Sequence, residues 1–124
     1  MEEPPFLIDG TRVVEYAEVD AARLSGKRVS VVVSGVALGD NLRGVAIAED
    51  LVKDGVFALH CNDRWETVAA ERFLEPEAAR GAVERAYGMA LPWQPYRELT
   101  AKEQSEVDTT RAFLREIAAE FPEQ

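Results

Sequence analysis

Residues 56–88 read VFALHCNDRWETVAAERFLEPEAARGAVERAYG and carry most of the information about the fold. Apolar, β-branched and aromatic residues fill positions 56–61, residues 62–64 have turn chemistry, and residues 65–70 resume a strand pattern. Pro76 then opens a helix that Gly88 ends, because proline suits the first helical turn and glycine the position after the last. This stretch predicts a strand, a turn, a second strand and a helix.

The other strand-like runs are also joined by short turns. Asp9-Gly10 is typical of a two-residue hairpin turn. Strands linked in this way pair antiparallel, since a parallel pair needs a long crossover. The sequence therefore predicts an α+β fold, with an antiparallel meander of about five strands, one helix packed across it and a longer C-terminal helix. The predicted strands cover residues 6–8, 11–19, 28–33 (placed at the centre), 45–48, 56–61 and 65–70.

The C-terminal helix is indicated by a capping box at Thr100 and Glu103, and it should end near Phe121. Its apolar positions, from residue 107 to residue 121, are concentrated in the second half, and we expect the helix to lie against a flank of the sheet. The polar first half should project into solvent or contact another molecule.

The 124 residues suit a single domain, residues 1–124. Residues 1–5 are acidic and proline-rich, and we expect them to be disordered. Residues 89–99 contain two prolines and two aromatic residues, a pattern that predicts an extended connector to the C-terminal helix.

The net charge of −9 resides at the two ends of the chain. Residues 1–20 hold six acidic residues against one arginine, residues 98–124 hold seven against three basic residues, and the middle is balanced. Such a distribution repels nucleic-acid phosphates and attracts basic proteins, so we expect no nucleic-acid partner. No apolar run approaches the roughly 18 residues of a membrane span, and the lone Cys61 agrees with a reducing compartment. We therefore expect a cytoplasmic protein without a membrane partner.

No catalytic constellation is recognisable, and the only candidates are His60, Asp63 and Glu66 around one turn. His60 cannot activate the neighbouring Cys61, because adjacent side chains of a strand point to opposite faces. One histidine and one cysteine cannot supply a zinc site of usual composition, so we expect no metal and no cofactor.

The run FALHCNDRWETVAA (residues 57–70), followed by a helix that ends in ERAYG and by a tryptophan, resembles a pattern of small uncharacterised bacterial proteins. Some small acidic proteins of this kind are similar to immunity proteins, which neutralise secreted toxins. The resemblance covers roughly residues 42–93. It implies an α+β fold and assigns no catalytic residue.

The leading hypothesis is a non-enzymatic protein-binding module, which an immunity-like inhibitor of a basic partner would exemplify. In this hypothesis Trp93 and Tyr96 anchor the partner, while Glu103, Glu106 and Asp108 attract it over a distance. One alternative is a homodimeric structural or assembly protein that pairs through a sheet edge or the last helix. A second alternative is a small-molecule enzyme that uses the turn near His60.

Overall fold

The computed structural model of the protein describes residues 2–20, 32–33, 36–37 and 42–121. The strands are β1 (Leu7–Ile8), β2 (Thr11–Glu18), β3 (Val32–Val33), β4 (Val36–Ala37), β5 (Gly44–Asp50), β6 (Val56–Cys61), β7 (Thr67–Phe73) and β8 (Gln94–Pro95). The helices are α1 (Pro76–Tyr87) and α2 (Ala101–Glu120).

The main sheet runs in the order β1-β2-β5-β6-β7, and every neighbouring pair is antiparallel. Together with one shorter and one longer helix, this five-strand meander confirms the predicted α+β fold. Strand β8 also pairs with β2, opposite Glu15 and Tyr16, whereas β1 lies opposite Thr11 and Arg12. Two short strands therefore cover different parts of β2 along its length.

The predicted position of the third run is wrong for the part that the structure describes. Val32–Val33 pairs with Val36–Ala37 in a separate two-stranded sheet, and β5 lies between β2 and β6 instead. Residues 28–31 of the predicted central strand lie outside the described residues. A run of valines specifies an extended backbone but carries no information about its pairing partner.

The turn at Asp9-Gly10 confirms the predicted hairpin. Asp9 and Gly10 have φ angles of +50° and +75°, and Ile8 pairs directly with Thr11. Positive φ at both central residues gives the type I′ turn, whose twist matches that of the flanking strands. The Thr11 hydroxyl donates a hydrogen bond to the Ile8 carbonyl (2.7 Å) and closes the turn further.

A second turn departs from the predicted strand bounds. The Asn62 side-chain oxygen accepts hydrogen bonds from the backbone N–H groups of Arg64 (2.9 Å) and Glu66 (3.0 Å). Trp65 between them has a φ of +59°, so it belongs to the turn, and β7 begins only at Thr67. The side chain of Asn62 competes here with the strand backbone for the same donors.

Apolar clusters cover both faces of the sheet, and α1 packs on one of them. Ala79, Val83 and Tyr87, spaced four residues apart, are buried on the side of α1 that faces the sheet. The other cluster includes Leu59 and Trp65. Alternate side chains of β6 enter the two clusters, which explains why nearly the whole strand is apolar.

The sequence predicts disorder for residues 1–5; residue 1 lies outside the described residues, and residues 2–5 are held against the body of the protein. The Trp65 indole N–H donates a hydrogen bond to the Glu2 carbonyl (2.8 Å), and the Tyr96 hydroxyl donates one to the Pro4 carbonyl (2.7 Å). The side chain of Pro4 is fully buried. Aromatic residues distant in sequence supply these contacts, so local composition could not reveal them.

Candidate partner-binding surface

Helix α2 begins at a complete capping box. The Thr100 hydroxyl accepts a hydrogen bond from the backbone N–H of Glu103 (3.1 Å), and the Glu103 carboxylate accepts one from the N–H of Thr100 (3.0 Å). These bonds satisfy donors that a helix start otherwise leaves unpaired. The helix start predicted from these two residues is confirmed.

The guanidinium of Arg97 links the start of α2 to residues 2–5. It donates two hydrogen bonds to the Glu103 carboxylate (2.7 and 2.8 Å) and one to the Glu3 carboxylate (3.0 Å). The bonds from Arg97, with the backbone donor of Thr100, lower the pKa of Glu103 to about 2. Glu103 is therefore ionised, but a cation already neutralises it.

One side of α2 is fastened to the end of the sheet where β2 begins and β5 ends. Val107 is fully buried. Arg111 donates a hydrogen bond to the Glu49 carboxylate (3.0 Å), and the Nε of Arg115 donates one to the Leu51 carbonyl (3.1 Å). These contacts fix which side of the helix faces the sheet.

Toward its C-terminal end, α2 presents apolar side chains to solvent. Phe113, Ile117 and Phe121 are 60, 40 and 53% exposed, and their spacing of four residues places them on one face. We call these three residues the α2 stripe. Of the apolar face that the sequence predicts between residues 107 and 121, Val107 is buried, whereas Ile117 and Phe121 are largely exposed.

Carboxylates without a partner border the α2 stripe. Glu106, Glu116 and Glu120 are exposed, and within the described part of the chain none of them forms an ion pair. Glu116 and Glu120 each follow a stripe residue by three positions, so they lie beside it. The last turn of α2 contains no basic residue. The exposed side of the helix is therefore an apolar strip with an acidic margin.

The two aromatic residues predicted as partner anchors are engaged within the protein itself. Trp93 is half-buried and packs against the apolar cluster beneath α1. Tyr96 packs against the cluster on the other face of the sheet, and its hydroxyl donates a hydrogen bond to the Pro4 carbonyl. Both contribute to the fold, and while residues 2–5 are in place neither offers a whole ring to a partner.

The three acidic residues predicted to attract a partner differ in how free they are. Glu103 is bound by Arg97, as described above. Asp108 is bonded to Gln104 (3.1 Å) and to Arg111 (3.5 Å), although its side chain is 60% exposed. Glu106 alone of the three has no partner among the described residues. The predicted acidic side of α2 therefore includes Glu106 but shifts toward the C-terminal half.

His60 lies in the interior between β6 and α1. Its side chain is 0% exposed, and its Nδ1 shares a short hydrogen bond with the Tyr87 hydroxyl. Its Nε2 has no hydrogen-bond partner, and the nearest carboxylate oxygen, on Glu71, is 3.9 Å away. Burial lowers the pKa of His60 to about 4 and raises that of Tyr87. His60 is therefore neutral at physiological pH and shielded from any solute.

The other two catalytic candidates lie on the surface. Asp63 and Glu66 line an open depression of about 390 Å³, whose other lining residues are Arg43, Asn62, Arg64 and Val68. The Glu66 carboxylate is held by the side-chain amide of Asn62 (3.0 Å). The depression does not include His60, so the structure does not bring the three candidates together.

Neither a metal cluster nor a membrane-spanning helix occurs in the residues that the structure describes. No group of three or more histidine, cysteine or acidic side chains there has an arrangement that would hold an ion. Both described helices are too short or too polar to cross a lipid bilayer.

Comparison of this chain with models of protein families, with curated proteins and with solved structures finds no match. The sequence contains one signal for the α2 stripe, the spacing of Phe113, Ile117 and Phe121, but the same spacing is equally typical of a buried helix face.

Proposed function

We propose that this protein is a non-enzymatic protein-binding module that holds a basic partner on the exposed side of α2, as an immunity-like inhibitor would. The observation that carries this proposal is the α2 stripe, in which Phe113, Ile117 and Phe121 are 60, 40 and 53% exposed. Full burial of such a side chain from a fully exposed state contributes about 1.5–3 kcal/mol, and roughly half of that remains to be gained at each stripe residue, so covering all three is a substantial source of affinity.

The charges beside the stripe favour a partner whose apolar surface is surrounded by basic side chains over a partner without charge. Glu116 and Glu120 form its margin and Glu106 lies two turns nearer the helix start, and Lys or Arg side chains around an apolar centre would complement these charges. Carboxylates near a helix C-terminus also oppose the helix dipole, at a cost of about 0.3–1 kcal/mol each. Glu120, in the last turn, therefore does not serve the stability of α2, which supports a role for it in binding.

The same stripe also suits a second function, a homodimer that buries two copies of α2. The net charge of −9 on each copy opposes this arrangement, and the opposition weakens as salt rises. Sedimentation velocity at 50 and 500 mM NaCl separates the two functions. A monomer at both salt concentrations supports the binding module, whereas a dimer at both supports the homodimer.

The binding surface itself is tested with a synthetic amphipathic helical peptide made of leucine and lysine. We expect this probe to bind the native protein and to lose at least about tenfold in affinity between 50 and 300 mM NaCl. The double variant Phe113→Ser, Ile117→Ser should weaken binding by about tenfold or more. The matched control is Leu74→Ser, since Leu74 is 77% exposed but lies outside α2.

Equal losses in Leu74→Ser and in the α2 variant would mean that the probe binds exposed apolar side chains indiscriminately. Association that does not respond to salt would remove the acidic margin from the proposal.

A further inference from the structure

Residues 2–6, with the sequence EEPPF, form an extended arm beside a cluster of three aromatic rings. Tyr16 meets Trp65 edge-on at a centroid distance of 5.8 Å, and Tyr96 at 6.1 Å. The indole N–H of Trp65 donates a hydrogen bond to the carbonyl of residue 2 (2.8 Å), and the hydroxyl of Tyr96 donates one to the carbonyl of residue 4 (2.7 Å). The rings thus bind the arm through two carbonyls that are two residues apart.

The chemistry of the arm suits this kind of binding. Proline fixes its own φ near −65° and restricts the residue before it to extended conformations, so Pro4 and Pro5 preorganise the arm. Pro4 is fully buried, whereas Glu2, Glu3 and Pro5 are exposed. The arm therefore inserts one proline and presents its carbonyl groups to the aromatic donors.

A charged contact completes the recognition. Arg97 lies over the ring of Tyr96, 5.2 Å from its centroid, and donates to the Glu3 carboxylate (3.0 Å). Arg97 thus recognises Glu3, the acidic residue that precedes the buried Pro4. Aromatic grooves that take proline-rich segments work in the same way, since a preorganised extended segment loses little entropy on binding.

We propose that the cluster of Tyr16, Trp65, Tyr96 and Arg97 is a binding site for an extended, acidic, proline-containing segment of a partner protein, and that residues 2–5 occupy it as an internal ligand. This site is separate from the α2 stripe and does not depend on the proposed function. A partner segment of the type Glu-Glu-Pro-Pro would make the same two carbonyl contacts and the same ion pair.

One side of the arm is open to solvent. An open depression of about 640 Å³ runs beside it, lined by residues 2–6 together with Tyr96 and Arg97. The arm joins the sheet where the Phe6 carbonyl accepts from the N–H of Val13 (2.9 Å). A short tether of this kind gives an effective concentration in the millimolar range, so an outside segment must compete with it.

The test uses the full chain with the substitutions Pro4→Gly and Pro5→Gly, which remove the preorganisation of the arm. The probe is the blocked peptide Glu-Glu-Pro-Pro-Phe, and the readout is the indole N–H resonance of Trp65 in a ¹H–¹⁵N spectrum. We expect the resonance to move in the variant, because its hydrogen bond to the arm is lost, and to return toward its native position as peptide is added.

Two matched controls define the result. A peptide with glycine in place of both prolines should bind at least about tenfold more weakly, and addition of Tyr96→Phe to the protein should weaken binding by about fivefold to tenfold. If the double variant does not fold, Glu3→Ala replaces it, since it removes only the exposed ion pair with Arg97. Glu3→Ala should bind the peptide more tightly than the native chain does.

Three results would overturn the proposal. The first is a Trp65 resonance that does not respond to peptide up to 10 mM, a range set by the millimolar tether. The second is an equal response to the glycine peptide. The third is that the variant protein dimerises and its Trp65 resonance returns to the native position without peptide. The site would then bind a second copy of this chain.

Discussion

His60 and Tyr87, 27 residues apart in the chain, are hydrogen-bonded to each other in the interior, where β6 meets α1. Burial lowers the pKa of His60 to about 4, so the imidazole is neutral in the folded protein. The simplest arrangement of protons has Tyr87 donating to Nδ1, which leaves the proton of His60 on Nε2. The pair joins the sheet to the helix, and its chemistry leads to the first two predictions.

The free energy of unfolding should fall as the pH drops from 7 to 5. The folded-state pKa of His60 is about 4, whereas that of an unfolded histidine is about 6.5, so the unfolded chain takes up the proton first. The stabilisation is fully present above pH 6.5 and is lost progressively toward pH 4, by about 3 kcal/mol in total. Urea denaturation at pH 7.5, 6.5, 5.5 and 5.0 measures this change.

The control for that experiment is His60→Asn. The chain has one histidine, so this variant lacks the only side chain whose ordinary pKa falls between pH 5 and 8. It should be less stable at pH 7.5 but show a flat profile down to pH 5.5. The same slope in both proteins would contradict the assignment to His60.

Tyr87→Phe should destabilise the protein by about 1–3 kcal/mol at pH 7.5, because it leaves the buried Nδ1 of His60 without a donor. Tyr16→Phe is the matched control. The hydroxyl of Tyr16 has no hydrogen-bond partner among the residues that are described, and its removal should cost less than about 0.5 kcal/mol. Equal losses in the two variants, measured by urea denaturation, would show that the hydrogen bond to His60 contributes nothing.

The substitutions Gly10→Ala and Gly81→Ala should change the free energy of unfolding in opposite directions. Gly10 has a φ of +75°, and a Cβ there would lie 3.3 Å from the Cδ1 of Leu114, so Gly10→Ala should cost about 1–2 kcal/mol. Gly81 lies inside α1, where a Cβ would meet only the end of the flexible Arg85 side chain. Gly81→Ala should therefore stabilise the protein by up to about 1 kcal/mol. Thermal unfolding of both variants measures the sign, and a common sign would contradict this reasoning.

The thiol of Cys61 should not react in the folded protein. Its side chain is 0% exposed, and burial raises its pKa to about 12. Only the thiolate attacks a disulfide reagent, so at pH 8 the rate should be at least about a thousandfold below that of the chain in 8 M urea. The rate should rise with urea in parallel with unfolding. Full reaction of the native protein within minutes would show that β6 opens locally.

Several elements could be predicted because their signals are local. The turn at Asp9-Gly10 follows from two residues that tolerate positive φ, and α1 follows from the proline at its first position and the glycine after its last. The capping box at Thr100 needs only the next three residues. The candidate surface was harder to predict, because a spacing of four residues shows that side chains share a face but not whether that face is covered.

Local sequence signals account for the secondary structure of β5, β6, β7 and both helices, for the antiparallel pairs that short turns join, and for the concentration of charge at the ends of the chain. The pairing of β2 with β5, the separate pairing of β3, the burial of His60 against Tyr87, the exposure of the α2 stripe and the attachment of residues 2–5 to Trp65 follow from the folded arrangement alone. The difference lies in the range of the interactions. Turns and caps depend on atoms within four residues, whereas burial depends on which distant surfaces meet, and many arrangements of the same amphipathic elements satisfy the local rules.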